Sequence, residues 1–269
     1  MATSNGPDPR FGGRVLTYDP EAIKTALSTY YKALSKLPYV DESDIVYPPE
    51  GGWPNITASN FAPLGKTERV IELLKHLPYL RNNGKETGYA ISFATFTIEY
   101  SAAPFTEPTD VEEADYWRPD LCWEEEPVKG WVVPLTMSED NISGNWWLLD
   151  ISDGTLTNWA HNDCMESDVD YEPEDPRAWR NTCGETRLLV ELLNEWQGKF
   201  ESLDWIAFSD PTGREKVWWR DDQGHDAVEY GQLEKIIKDH GWPHNFRRQE
   251  CKEALQAWDE EHQDDLYRP

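Results

Sequence analysis

Trp146-Trp147 lies within WVVPLTMSEDNISGNWWLLDISDGTLTNW, and this run confines the chain to folds built on an antiparallel sheet. Side chains alternate across a strand, so two adjacent tryptophans must point to opposite faces. The pieces GWVVPLT, GNWWLLDIS and TLTNWAH follow one another closely, and Asp153-Gly154 between the last two is a hairpin turn signal. A meander with a tryptophan on either face needs an explanation for both. The same situation recurs at Trp218-Trp219. The outward member of each pair is either covered by helices or exposed as a recognition anchor, a role in which tryptophan is enriched.

The remaining chain supplies helices for such cover. Asp19-Pro20 pairs an N-cap with a proline at the first helical position, and Ile23, Leu27, Tyr30, Tyr31 and Leu34 share one stripe, which predicts a helix over about 20 to 36. Thr67 caps a second helix with Val70, Ile71, Leu73, Leu74 and Leu77 on its apolar face, stopped by Pro78. The intervening DESDIVYPPEGGWPNIT reads as an irregular connection anchored by Tyr47 and Trp53. Alternation at Phe96, Ile98 and Tyr100 argues for a strand within Gly88 to Ala102. A helix near Glu185 would bury Leu188, Leu189, Leu192, Leu193 and Trp196. WIAFSD, the turn Asp210-Pro211-Thr212-Gly213 and Val217-Trp218-Trp219 form a late hairpin. Two tail helices, about 230 to 240 and 245 to 261, place Leu233, Ile236, Ile237, Cys251, Leu255 and Trp258 inside. The expected fold is α+β, with a central, mostly antiparallel sheet packed with N-terminal and C-terminal helices. Residues 1–18 read as a flexible lead-in, and 19–269 as a single elaborated domain with 201–269 as a C-terminal extension.

Charge narrows the partner class. The chain has 51 Asp and Glu against 25 Lys and Arg, a formal charge of -26, which repels phosphate backbones and argues against nucleic acid. The same field favours a basic protein partner or serves as a solubility surface. Acidity concentrates at 107 to 126, at 163 to 175 and in the last helix. No apolar h-region or membrane-length apolar stretch is visible, and the unevenly spaced Cys122, Cys164, Cys183 and Cys251 read as reduced thiols. The expectation is therefore a cytoplasmic or nuclear protein that does not enter the membrane. Its oligomeric state is left open by the sequence.

The order of motifs resembles the SUKH superfamily, which includes bacterial immunity proteins and fungal regulators of cell-wall assembly. The resemblance covers about 66 to 200: a helix ending in Leu77-Pro78-Tyr79, Asn83-Gly84, the central WVVPLTMSEDNISGNWWLLDISDGTLTNW, and the following ETRLLVELLNEW. The acidic insertion at 107 to 126 and both ends are additional to the family pattern. The resemblance implies a protein-binding module without catalytic machinery, in which a concave face of the sheet receives a partner.

Several constellations admit sharper chemistry. His161-x-x-Cys164 with Cys183 offers three soft ligands for zinc but no evident fourth, and otherwise reads as a surface histidine near ordinary thiols. Asp168, Asp170 and Glu172 belong to an acidic loop that either docks a basic surface or is simply solvated; it lacks the glycine and closing glutamate of a calcium loop. No motif points to a cofactor, and no Walker, G-x-S-x-G, H-E-x-x-H or G-x-G-x-x-G pattern occurs. His76 and His161 border predicted core elements, so they are the better histidine candidates. The two functional expectations are a non-catalytic protein-binding or scaffold module using Trp146, Trp147, Trp218, Trp219 and the acidic loop, and an enzyme on a small molecule. The enzyme would use an aromatic pocket with His161, Asp150, Asp163 or Glu166 in proton transfer.

Overall fold

Helix α1 spans Pro20–Leu34, started by the Asp19 carboxylate, which accepts hydrogen bonds from the Glu21 and Ala22 amides. Its buried stripe is the expected one. Helix α2, Glu68–Lys75, begins where Thr67 accepts from the Val70 amide, and buries Val70, Ile71, Leu73 and Leu74. The computed structural model describes residues 6–82, 88–107, 128–138, 144–159, 169–209, 215–220 and 227–266. Between α1 and α2 the chain is irregular apart from short 3-10 turns and β1 (Ile45–Val46), which pairs with β2 (Tyr79–Leu80). Trp53 anchors this connection by donating its indole N–H to the Leu77 carbonyl at 2.9 Å.

The strand expected within 88–102 is instead a tight hairpin of β3 (Ala90–Ser92) and β4 (Thr95–Thr97). Period-two alternation cannot separate one strand from two, and the reversal at Phe93-Ala94 contains no Gly, Pro or Asn to announce it. Ala94 takes a φ of 43° there. Gly144 admits this turn: a Cβ on it would lie 1.8 Å from the Ala94 carbonyl oxygen. Only a residue without a side chain fits so close an approach.

The meander consists of β5 (Val132–Pro134), β6 (Thr136–Ser138), β7 (Trp146–Asp150) and β8 (Thr155–Trp159). It is divided between two sheets, ordered β3-β4-β6 and β5-β7-β8 followed by a further strand, Thr186–Leu188, in which every described pairing is antiparallel. β9 (Thr186–Leu188) occupies what the leucine pattern suggests as the first turn of a helix, because pairing with β8 satisfies its backbone before α3 (Leu189–Glu201) begins. α3 lies against α1, and with the sheet these helices form the main core around Tyr30, Leu149, Leu193 and Trp196.

The C-terminal part adds the hairpin β10 (Trp205–Ser209) and β11 (Glu215–Trp219), then α4 (Ala227–Asp239) and α5 (Arg248–Leu266). Alternation splits this hairpin between two cores: Ala207 and Val217 join the main one, whereas Ile206 and Phe208 join Leu233, Cys251, Leu255 and Trp258 beneath the helices. Arg248 further ties α5 to the segment after α1, donating to the Leu37 and Val40 carbonyls at 2.6 and 2.7 Å. The extension is thus packed into the fold.

Candidate functional site

The four-stranded sheet has two chemically different faces. Trp147 points to the helices and meets Trp196 of α3 edge to face at 5.7 Å. Register places Trp146, Leu148, Asp150, Thr155, Thr157, Trp159 and Thr186 on the other face. That face is lined by polar groups toward the Asp150 end, and residues 6–14 and 169–183 lie over it.

Arg180, in the 3-10 turn Ala178–Thr182, is fully buried at the centre. Its Nη2 donates to Asp150 and Asp153 at 2.8 Å each and to Thr155 Oγ1 at 3.1 Å. Asp150 also accepts from the Ser152 amide and hydroxyl and from the Trp179 indole. Burial pushes the Asp150 carboxyl above the ordinary carboxylate value; Arg180 opposes this shift and Asp153 adds to it. For Arg180, burial works against the charge, but Asp150 and Asp153 outweigh it and raise its pKa. Four aspartates, Asp8, Asp150, Asp153 and Asp175, thereby meet Arg10, Arg177 and Arg180 in one cluster.

Arg177 grips Asp175 with two hydrogen bonds, 2.9 and 2.7 Å, and holds its pKa below the ordinary 3.8. A depressed carboxylate stabilises the fold above its unfolded pKa, and that contribution is lost as pH falls through the folded one. Asp175→Asn should therefore lower stability near neutrality, with the gap to the parent chain closing below 3.8. Urea midpoints across the acid limb measure this, and a pH-independent gap would contradict it.

The site residues expected from the sequence separate clearly in space. Asp150 is 0% exposed and saturated by internal partners, which removes it from direct proton transfer with a substrate. Cys183 is buried, its Sγ 3.6 Å from the Trp179 carbonyl. Asp170 and Glu172 are exposed on either side of buried Tyr171. Trp146 and Trp147 are both covered, Trp146 by Trp159 and the Ser138 hydroxyl. Trp218 is half-buried against Trp258, whereas Trp219 is 42% exposed and rests on exposed Phe93 at 4.2 Å. His161, Asp163, Cys164, Glu166 and Asp168 lie outside the described residues, as do Cys122, Asn83-Gly84 and most of the 107 to 126 loop. Among the described residues no group of three His, Cys, Asp or Glu is arranged to hold a metal, and no helix is long and apolar enough to cross a membrane.

Part of the lead-in packs against the fold. Residues 6–14 are docked, with Asp8 only 2% exposed and in contact with Tyr171, Arg177 and Arg180. Glycine and proline content signals loss of regular structure, but it is silent on an isolated acid that finds buried arginines. The signal available for those arginines was their isolation: no Lys or Arg occurs between Lys129 and Arg177.

An open surface lies along α1. A groove of about 410 Å³ separates it from α3, with Ala22, Ala26 and Leu193 among its lining and Val190 44% exposed beside them. Among the described residues that line it, Asp19 and Glu21 are the charged ones, with no Lys, Arg or His. The other flank of α1 bears Lys24, Lys32 and His76 around exposed Tyr47. His76 itself is engaged, its Nδ1 2.9 Å from the Glu72 carbonyl oxygen and 3.3 Å from the Glu72 carboxylate. Comparison with protein-family models, curated proteins and solved structures gives no match to this chain.

Proposed function

We propose that this chain is a non-catalytic protein-binding or scaffold module that docks a basic, amphipathic segment of a protein partner in the groove between α1 and α3. The carrying observation is the groove's lining, in which Asp19 and Glu21 are the charged groups among the described residues, beside an apolar floor of Ala22, Ala26 and Leu193. A formal charge of -26 adds a long-range field that speeds encounter with a basic partner and disfavours nucleic acid. Sealing of Asp150 within an ion-pair network weighs against the alternative of an acid-base enzyme. The buried thiols of Cys183 and Cys251 suit a reducing compartment, in keeping with an intracellular, cytoplasmic or nuclear protein. The sequence of α2, Leu77-Pro78-Tyr79, antiparallel strands and α3 supports a SUKH-like centre over about 66–200.

Val190→Arg tests the reading without touching the core, because Val190 is exposed. Basic proteins captured from the source cell by the parent chain should bind this variant about tenfold more weakly or less, the scale of a disrupted hot spot. Their retention on the parent chain should also fall steeply with added salt. Equal, salt-insensitive capture by both chains would sink the proposal.

A further inference from the structure

Residues 6–14 fold on themselves. The Asp8 amide donates to the Arg14 carbonyl at 3.0 Å, Phe11 and Gly13 amides donate to the Asp8 carbonyl, and the Arg10 amide donates to Asp8 Oδ1 at 3.0 Å. Every backbone N–H in these contacts is satisfied within the turn. Of this segment only Asp8 is buried, and no apolar residue anchors it. Hydrophobic burial therefore contributes little to its docking.

Charge and hydrogen bonding hold it instead. Tyr171 donates its hydroxyl to Asp8 Oδ1 at 2.9 Å, while Asp8 Oδ2 lies 3.6 and 3.5 Å from Arg177 Nη1 and Arg180 Nη1. Arg177 Nη1 also donates to the Gly6 and Pro7 carbonyls. Two residues further along, the Arg10 guanidinium lies 5.3 Å from the Tyr171 ring centroid and donates to Thr186 Oγ1 and the Arg180 carbonyl. Arg177 lies 4.9 Å from the same ring centroid. The receiving surface thus reads a carboxylate and, two positions later, a guanidinium. Asp8 Oδ2 and Arg180 Nη1 have no hydrogen bond among the described residues, so the paired charges are not fully seated.

We propose that this surface is a peptide-recognition site for an Asp-x-Arg segment, filled in cis by Asp8-Pro9-Arg10 and open to the same segment of a second copy of this protein. Such a ligand is locally neutral, so the acidic field that repels an acidic peptide does not exclude it. The site is separate from the α1–α3 groove and stands if the groove reading fails.

The test uses the full chain carrying Asp8→Ala, with isosteric Asp8→Asn as the second variant, and a fluorescent peptide of residues 4–14, SNGPDPRFGGR. The peptide should bind either folded variant saturably, and at least about tenfold more tightly than it binds the parent, whose own segment competes. A peptide with alanine in place of its aspartate should bind about tenfold more weakly. In the parent chain, hydrogen exchange at the Asp8 and Gly13 amides should be at least about 100-fold faster than at Leu149, reporting local release of the turn. Absence of peptide binding, equal binding of both peptides, or exchange at Asp8 as slow as at Leu149 would overturn the proposal. The exchange measurement needs no variant, so it decides even if both substitutions unfold the chain.

Discussion

Arg180→Leu should destabilise the protein by about 3–5 kcal/mol, the range for removing one partner from a buried ion pair. The guanidinium has no exposure, and Asp150, Asp153 and Asp8 all face it within 3.5 Å. Leucine leaves those carboxylates in a place that water cannot reach, and the cost of their desolvation outweighs any gain from added apolar contact. Arg180→Lys should be milder but still harmful. A single ammonium retains the charge, yet it cannot span Asp150, Asp153 and Thr155 on one side and Asp8 on the other. Adding Asp150→Asn to Arg180→Leu should restore part of the loss, since one stranded charge is removed, and the double-mutant cycle should show coupling well beyond additivity. Urea unfolding measures each value. A loss below about 0.5 kcal/mol for Arg180→Leu, the level of an ordinary surface change, would mean that the network contributes nothing.

This network is built from contacts that no local sequence pattern encodes. Helices α1 and α2 were legible because their caps and apolar stripes are local: Asp19, Pro20 and Thr67 define the starts without reference to the rest of the chain. The β7–β8 hairpin was equally legible from Asp153-Gly154. What local pattern could not provide was contact at long separation. Asp8 meets Arg177 and Arg180 across most of the sequence, and in the sequence those residues are merely a lead-in acid and two arginines beside an acidic loop. Asp150 reads the same whether it serves catalysis or an ion pair, and only its partners decide. The α1–α3 groove was invisible for a related reason, because Ala22, Ala26 and Val190 become a surface only when two helices pack side by side.

The tryptophans resolve the other sequence-level ambiguity and supply the second large effect. Trp196 of α3, 5% exposed, is a meeting point: Trp147 from the sheet lies at 5.7 Å, Tyr30 of α1 at 6.2 Å and Trp205 of the late hairpin at 6.2 Å. Trp196→Ala should cost about 3–5 kcal/mol, combining lost transfer free energy with a cavity that three separate elements cannot collapse together. Trp219→Ala should cost only about 0.5–1.5 kcal/mol, since one edge-to-face contact with Phe93 is lost from a half-solvated position. Tyr30 both touches Trp196 and lines the α1–α3 groove, so the cavity should loosen the groove even in molecules that remain folded. Partner capture by Trp196→Ala, assayed where the chain is still native by circular dichroism, should therefore fall, whereas Trp219→Ala should bind as the parent does. If Trp219→Ala alone abolished capture at unchanged stability, the docking face would have to move from the groove to the Phe93–Trp219 pair, where the last tryptophan of the hairpin is left partly uncovered.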